Sequence, residues 1–503
     1  MEFQTVGIVG AGTMGAGIAQ VAAQAGSSVF LFDARGGAAQ SAIDRIRSTF
    51  STLASKGRMT QDAAVESSAR LAVAPDLQCL SPCDLIIEAI VEDLTAKRTL
   101  LRTLEGICGP DSLLASNTSS LSITAIAAAL ERPERVLGLH FFNPPPLMPL
   151  VEVIHGRLTA SDVVARAEVA MRAWGKTPIR CASTPGFIVN RVARPFYGEA
   201  LRVLEAGGAD VATVDLILRE AGGFRMGAFE LMDLIGLDVN LAVSKSVWSA
   251  YYFDSRYRPS WTQEEMVAAG LLGRKTGRGF YTYPGAVASV PSSPLGPAPS
   301  QVQYLTESDA LNPLVERIRA AGIKVQSRKE EDPFGAGMLR IGSATVALTD
   351  GRTANQIAVD EELTQVVALD LARDFATTRR VALARGEDTT TSALADAVGL
   401  FRALGIEVSV IDDLPGLIVA RTIAMLANEA ADAVMQRVAT ADAVDQAIKL
   451  GLNHPEGPLE TADRIGLTLI DAILTHLQAQ TGDDRYRSSL LLQRAIWSGR
   501  DLR

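Results

Sequence analysis

Thr5-Val6-Gly7-Ile8-Val9-Gly10-Ala11-Gly12-Thr13-Met14-Gly15 decides the fold of the first part of this chain. Residues 5–9 read as a buried strand, Ala16 to Gln24 as a helix of small and apolar residues ending at Gly26, and Ser28 to Phe32 as a second strand closed by Asp33. Each glycine has a task. Gly10 permits the tight turn, Gly12 lets the backbone approach a pyrophosphate, and Gly15 lets the helix pack close to the strand. With Thr13 and Met14 they form a turn whose helix N-terminus faces the phosphates. Asp33 is placed to accept from the ribose hydroxyls and would repel a 2′-phosphate, which favours NAD over NADP; the nearby Arg35 tempers that preference. A glycine triplet alone is weak. The order strand, glycines, helix, strand, acid is what specifies a dinucleotide site.

Beyond Asp33 the pattern departs from a minimal doubly wound unit. Ala38 to Ser55 and a segment opening at Thr60-Gln61-Asp62 read as a helical pair, broken at Lys56-Gly57-Arg58. Lys56 and Arg58 could meet an acidic ligand or simply face water in a surface turn. Strand signals resume at Leu71-Ala72-Val73, Leu85 to Ala89 and Leu113 to Ser116, with a helix opening near Val91-Glu92-Asp93-Leu94. The strand at Leu113 ends in the polar run Asn117-Thr118-Ser119-Ser120. A further apolar run, Val136 to Leu139, ends in His140, one of four histidines. After a proline-rich turn (Pro144-Pro145-Pro146), a short apolar run carries Glu152, which such a loop can return to the imidazole. A carboxylate on one ring nitrogen makes the other a better base. A buried histidine bonded to backbone, with Glu152 solvated, is the plain alternative. In doubly wound sheets ligands bind beyond the carboxyl ends of the strands, so the 117–120 run and His140 should share one crevice.

Composition sets outer limits. A chain of 503 residues exceeds one core and implies three or more domains. With 48% hydrophobic and 21% charged residues it is an ordinary globular protein, and a net charge of −9 argues against nucleic-acid or anionic-membrane partners. No apolar run is long enough to span a bilayer, and no targeting segment is expected. The four cysteines (Cys79, Cys83, Cys108, Cys181) lack metal-ligand spacing with histidine. They read as core residues, so no metal and a cytoplasmic location are expected.

Thr184-Pro185 reads as a helix start, with the helix running to about Ala206 and kinked at Pro195. Ala209 to Glu220 and Phe229 to Val247 continue as helices. Lys275, with glycines close on both sides, can approach phosphate or ribose, or can belong to a plain surface loop. Residues 284–301 are rich in Pro, Ser and Gly and read as a linker. A repeat follows. Pro185-Gly186-Phe187-Ile188-Val189-Asn190-Arg191 recurs as Pro415-Gly416-Leu417-Ile418-Val419-Ala420-Arg421, and the same offset of 230 pairs Gly227 with Gly457 and Asp233 with Asp463. A constant offset means a duplicated unit. Its second copy has Ala420 in place of Asn190.

The fold expected is α/β. A Rossmann-like doubly wound sheet with a helical-pair insertion (1–183) is followed by an all-α domain (184–283), the linker, a degenerate α/β domain (302–410) and a second, catalytically inert copy of the all-α domain (411–503). Gly335-Ala336-Gly337 lacks the preceding strand and third glycine, so no second NAD site is expected.

The glycine turn with Asp33, the 116–120 run, His140-Phe141-Phe142-Asn143-Pro144 and the 184–191 run together resemble the NAD-dependent L-3-hydroxyacyl-CoA dehydrogenases over residues 3–283. With the long extension, the order looks most like the bacterial 3-hydroxyadipyl-CoA dehydrogenases of phenylacetate catabolism. The resemblance implies that His140 takes the proton from the 3-hydroxyl as hydride leaves C3. It implies that Glu152 orients His140, and that Ser119 and Asn190 hold the substrate oxygen. Glu92, Lys97, Asn117 and Lys275 match NAD contacts, and Lys56 matches a coenzyme A contact. It also implies oxidation of an acyl-CoA substrate, 3-hydroxyadipyl-CoA before 3-hydroxybutyryl-CoA. Alternatives are a dehydrogenase of free hydroxy acids such as gulonate, which would not need Lys56, and a non-catalytic NAD-binding protein. Pro145 and Pro149 stiffen the loop after His140, and Ala228 stands where the family often has proline. Shorter members pair through their helical domains. The two copies here are therefore expected to form an internal pseudo-dimer, with a homodimer left open.

Overall fold

The structure, a computed structural model, describes residues 2–285, 296–331 and 334–503. It forms two compact units, Met1–Asn190 with Arg437–Leu452, and Arg191–Gln436 with Asn453–Arg503.

The first unit is a doubly wound domain. Strand β1 (Thr5–Val9), helix α1 (Thr13–Gln24) and β2 (Ser28–Phe32) open it. The helical pair α2 (Ala38–Ser55) and α3 (Gln61–Ala69) follows, then β3 (Leu71–Val73), β4 (Leu85–Glu88), α4 (Leu94–Ile107), β5 (Leu113–Ser116), α5 (Ile123–Ala127), β6 (Val136–Phe141), β7 (Leu150–His155), α6 (Ser161–Ala173) and β8 (Thr177–Ala182). The side chains of Thr60 and Asp93 cap α3 and α4, accepting from Ala63 N and Ala96 N. The eight strands lie in the order β3-β2-β1-β4-β5-β6-β7-β8. Only β6 and β7 run antiparallel, as a connection of eight residues requires, and their register sets His140 directly opposite Glu152.

The chain passes into the second unit through α7 (Val189–Val192), then α8 (Arg194–Glu205), α9 (Val211–Glu220), α10 (Ala228–Ile235), α11 (Leu237–Ala250) and α12 (Trp261–Ala268). Three expectations are corrected here. The helix does not start at Thr184-Pro185. Gly186 and Phe187 take φ of 76° and 50°, a left-handed pair no helix accommodates. The cap is tertiary: Glu152 Oε1 accepts from Ile188 N and Val189 N, both at 3.0 Å. The kink expected at Pro195 is a break, with Pro195 in the first turn of α8. The helix expected over Phe229 to Val247 is two, because Gly236 (φ 101°) separates α10 from α11.

Most of the expected linker, residues 286–295, lies outside the described residues, and its last position, Gln301, already belongs to a strand. That strand, β9 (Gln301–Glu307), leads to α13 (Asn312–Ala320), β10 (Lys324–Glu331), β11 (Met338–Ile341), β12 (Ala344–Leu348), α14 (Ala354–Asp360), β13 (Val366–Leu369), β14 (Arg380–Arg385), α15 (Thr391–Ala403) and β15 (Glu407–Ile411). Among the described residues they form a mixed seven-stranded sheet in the order β10-β9-β11-β12-β13-β14-β15. The second helical copy comprises α16 (Val419–Met435), α17 (Ala441–Leu452), α18 (Pro458–Ile465), α19 (Leu467–Thr481) and α20 (Leu490–Ser498), of which α17 belongs to the first unit.

Within the second unit α8 packs on α16 through reciprocal contacts. Arg191 Nε lies 2.5 Å from Glu429 Oε1, and at the same offset Arg421 Nε lies 3.1 Å from Glu199 Oε2. Tyr257 donates to Glu429 and Tyr486 to Glu199. Arg258 pairs with Asp483, and Arg487 with Asp254. Residue i touching j while the counterpart of j touches that of i is the signature of a two-fold interface.

Candidate active site

The geometry begins at the glycine turn. Gly10 has φ 106°, and a Cβ there would stand 2.5 Å from the Ala89 carbonyl oxygen. A Cβ on Gly15 would overlap the Gly10 carbonyl, whereas above Gly12 the space is open to 4 Å. Closed at 10 and 15 and open at 12, the turn can take a pyrophosphate against the N-terminus of α1. Asp33, at the end of β2, accepts from Ala11 N and pairs with Arg35. Burial pushes its carboxyl up, but the Arg35 hydrogen bond and charge, with the Ala11 and Arg35 N–H groups, outweigh it and hold Asp33 below the ordinary range. These residues fit a bound NAD.

The same turn opens into a cleft of about 690 Å³ lined by Gly12, Thr13, Arg35, Arg45, Thr49 and Pro144 to Pro146. Gly17 forms part of its wall: a Cβ there would stand 2.7 Å from the Pro145 ring. From the other side the loop after His140 is held by Lys176, whose ammonium donates to Pro145 O at 2.5 Å and Met148 O at 2.8 Å. Lys56 is exposed at the C-cap of α2.

Beyond β4 and β5 lies a buried polar cluster. Lys97, 1% exposed, lies 2.9 Å from both Glu88 oxygens and 3.3 Å from Glu92. Its charge is thus spent inside the protein. Ser116 also donates to Glu88. Glu92 Oε1 gathers Thr118 Oγ1, Ser119 N (3.1 Å), Ser120 N (3.2 Å) and Ser120 Oγ (2.9 Å). Burial pushes Glu92 up, yet the Thr118 hydroxyl, the Lys97 charge and the Ser donors prevail and leave it below its usual value. The Ser119 turn is therefore folded around a carboxylate. Asn117 Oδ1 accepts from Phe141 N at 2.9 Å, which locks the end of β5 to the end of β6.

At that edge stands the His140–Glu152 pair. Nδ1 of His140 is 2.6 Å from Glu152 Oε2, with the imidazole 8% exposed and the carboxylate fully buried. Phe142 and Phe187 pack at 4.5 and 5.9 Å from the ring. Because Oε1 of the same carboxylate caps α7, Glu152 joins His140 to the segment carrying Asn190. Asn190 Nδ2 in turn donates to Ser119 O at 3.2 Å. Ser119, His140, Glu152 and Asn190, from four separate stretches of sequence, meet at one edge of the first unit. Lys275 lies in the second unit, on a 3-10 turn, paired with Asp238 at 2.5 Å.

Three residues escaped the sequence reading. Glu88 had a signal, an acid closing the apolar run Leu85-Ile86-Ile87. Gly17 and Lys176 had none, because their partners are set by the loop's tertiary path.

The second half carries a remnant of the same device. Asp370 Oδ2 accepts from Ile418 N and Val419 N at 3.0 and 2.8 Å, the counterparts of Ile188 and Val189. Its Oδ1 accepts from Ala420 N at 3.0 Å, where Glu152 instead meets a histidine.

Comparison with known proteins agrees with this geometry. The description "3-hydroxyacyl-CoA dehydrogenase, NAD binding domain" matches residues 5–184, and the C-terminal domain of the same family matches 186–283 and again 416–501. The chain belongs to the 3-hydroxyacyl-CoA dehydrogenase family. It is an NAD-dependent 3-hydroxyacyl-CoA dehydrogenase with two C-terminal helical copies. Residues 346–415 match the "3-hydroxybutyryl-CoA dehydrogenase reduced Rossmann-fold domain", which accounts for the eroded sheet of the dehydrogenase's second half. A 3-hydroxyadipyl-CoA dehydrogenase of Escherichia coli is 40% identical over 99% of this chain and 98% of its own length. A crystal structure of a 3-hydroxybutyryl-CoA dehydrogenase from Escherichia coli superposes with a TM-score of 0.90 at 39% identity, covering 99% of this chain and 100% of that one. A probable 3-hydroxybutyryl-CoA dehydrogenase of Bacillus subtilis is 40% identical over 56% of this chain and 98% of its own length. Among the described residues, no helix of the dehydrogenase is long and apolar enough to cross a membrane, and no group of His, Cys, Asp and Glu could hold a metal ion.

Proposed function

We propose that the enzyme oxidises the 3-hydroxyl of 3-hydroxyadipyl-CoA in preference to 3-hydroxybutyryl-CoA, with His140 as the general base. The observation that carries the chemistry is the buried 2.6 Å contact between His140 Nδ1 and Glu152. It holds the proton on Nδ1 and leaves Nε2 as the acceptor for the hydroxyl proton, and it offsets the imidazolium charge that develops. Ser119 and Asn190 hold the reacting oxygen, which keeps C3 facing the cofactor. Bound NAD supplies the hydride acceptor. Gly10, Gly12, Thr13, Met14, Gly15 and Asp33 hold its phosphates and ribose. Asn117 and Glu92 shape the far side, with Lys97 acting through Glu92, and Lys275 matches a position that contacts NAD in the family. Lys56 meets the coenzyme A phosphates. The dicarboxylyl preference rests on the likeness to the 3-hydroxyadipyl-CoA dehydrogenase of Escherichia coli, which aligns over 99% of this chain, and the full-length structure described as a 3-hydroxybutyryl-CoA dehydrogenase supplies the competing reading.

The reciprocal Arg–Glu and Tyr–Glu contacts support a functional division at 1–183, 184–283, 302–410 and 411–503, in which the second helical copy stands in for a partner subunit. Any homodimer then forms through another face, which sedimentation would reveal. Four free cysteines suit a reducing cytoplasm. The test of substrate is NADH formation with the two thioesters in parallel. A higher kcat/KM for 3-hydroxyadipyl-CoA supports the proposal, and a higher value for L-3-hydroxybutyryl-CoA overturns it.

A further inference from the structure

The repeat exchanges more than ion pairs. Ala182 N, at the end of β8, donates to Val438 O at 2.8 Å, and Asp412 N, just past β15, donates to Gly208 O at 3.1 Å. The offset of 230 relates Ala182 to Asp412 and Gly208 to Val438, so these two bonds are one contact made twice. In the second unit α9 packs on β14, where Arg380 pairs with Glu220 at 2.8 Å. In the first unit α17 packs on β7 and β8. Each α/β sheet is therefore backed by a helix from the other half of the chain.

What α17 touches is the catalytic framework. Gly451, near its end, faces Leu150 and Val189: a Cβ there would lie 3.1 Å from Leu150 Cδ2 and 3.0 Å from Val189 Cγ2. Leu150 opens β7, two residues before Glu152. Val189 donates its N–H to Glu152 and precedes Asn190. The counterpart of Gly451 is Ala221, buried at the end of α9 in the second unit, whose sheet carries neither His140 nor Asn190. A side chain is thus present where the helix backs the eroded sheet and missing where it backs the catalytic one.

We propose that Gly451 is a positioning residue: through it, helix α17 of the second copy sets the placement of Glu152 and Asn190. Helix α17, from the copy without an Asn190 counterpart, then serves the site as its rear wall. This rests on the assignment of His140, Glu152 and Asn190 given above. The test is a double-mutant cycle in the full chain between Gly451→Ala and Val189→Ala. The added methyl forces Val189 and Leu150 to move by a few tenths of an ångström, so Gly451→Ala is expected to lower kcat about tenfold. Its Kd for NAD and its Tm should stay near those of the parent. Removing the Val189 methyls makes room, so the double variant is expected to lose less than the product of the two single losses. Parent-like kcat in Gly451→Ala, or losses that multiply independently, overturns the inference. If Gly451→Ala does not fold, Leu150→Ala replaces Val189→Ala as a cavity-making partner, and failure of both doubles to restore the fold also overturns it. A parent-like kcat in His140→Ala would instead refute the site assignment while leaving the cycle's coupling readable.

Discussion

Replacing Glu152 by Gln keeps the shape of the side chain and changes one atom, so its effect can be worked from the contacts. Two backbone N–H groups, of Ile188 and Val189, face Oε1, and His140 Nδ1 faces Oε2. The amide has two orientations. Turning its NH₂ toward the N–H pair would leave those two buried donors without an acceptor, at about 1–3 kcal/mol each. Keeping its oxygen there preserves both bonds and points the NH₂ at His140. That orientation wins by several kcal/mol. Nδ1 must then accept, the ring proton moves to Nε2, and the nitrogen that should take the hydroxyl proton becomes a donor. An amide that traps the wrong tautomer in a carboxylate–imidazole pair costs about four orders of magnitude in kcat. We therefore predict a loss of about 10³–10⁴ in kcat for Glu152→Gln, with NAD binding retained. The assay is steady-state NADH formation, with cofactor Kd from fluorescence titration. A kcat within about tenfold of the parent would refute the tautomer argument.

His140→Ala should lower kcat by about two to four orders of magnitude, the usual weight of a general base, and leave the Kd for NAD unchanged by titration. Arg191→Met takes from the buried Glu429 its nearest cation, leaving Tyr257 and the more distant Arg256 at 3.6 Å, and should cost up to about 3–5 kcal/mol in urea unfolding, whereas Arg191→Met with Glu429→Leu should recover part of that loss; equal losses would mean the pair is not coupled. Glu92, held below its ordinary value of 4.5, contributes stability that is fully present above the unfolded-state value and disappears as pH falls through the folded one. The stability gap between the parent and Glu92→Gln should therefore close on acidification, as read from unfolding midpoints; a gap constant with pH would contradict it.

Much of the chain was legible because its signals are local. The steric needs of Gly10 and Gly15, the strand that precedes them and the acid that closes β2 are all settled within a few dozen residues. The helical pair, the helix starts near Thr60 and Asp93 and the internal repeat are read the same way. The start of α7 was not legible, since the N–H groups of Ile188 and Val189 are capped by Glu152, from a strand more than thirty residues away. Lys97 resembles a ligand contact in one dimension, and only the approach of Glu88 shows its charge already committed.

By itself, then, the sequence determined the dinucleotide turn and the order of domains, because these depend on short-range sterics or on a repeat, while Ser119, His140, Glu152 and Asn190 were singled out by the likeness of their motifs to those of a family. Tertiary structure alone decided which atoms meet. The return of Glu152 to His140 was within reach of the local spacing, but Lys176 and Gly17, which hold the proline loop between them, were not. Helix α17 leaves its own copy to back the catalytic sheet. Such contacts follow from packing between segments far apart in the chain, for which local pattern carries no information.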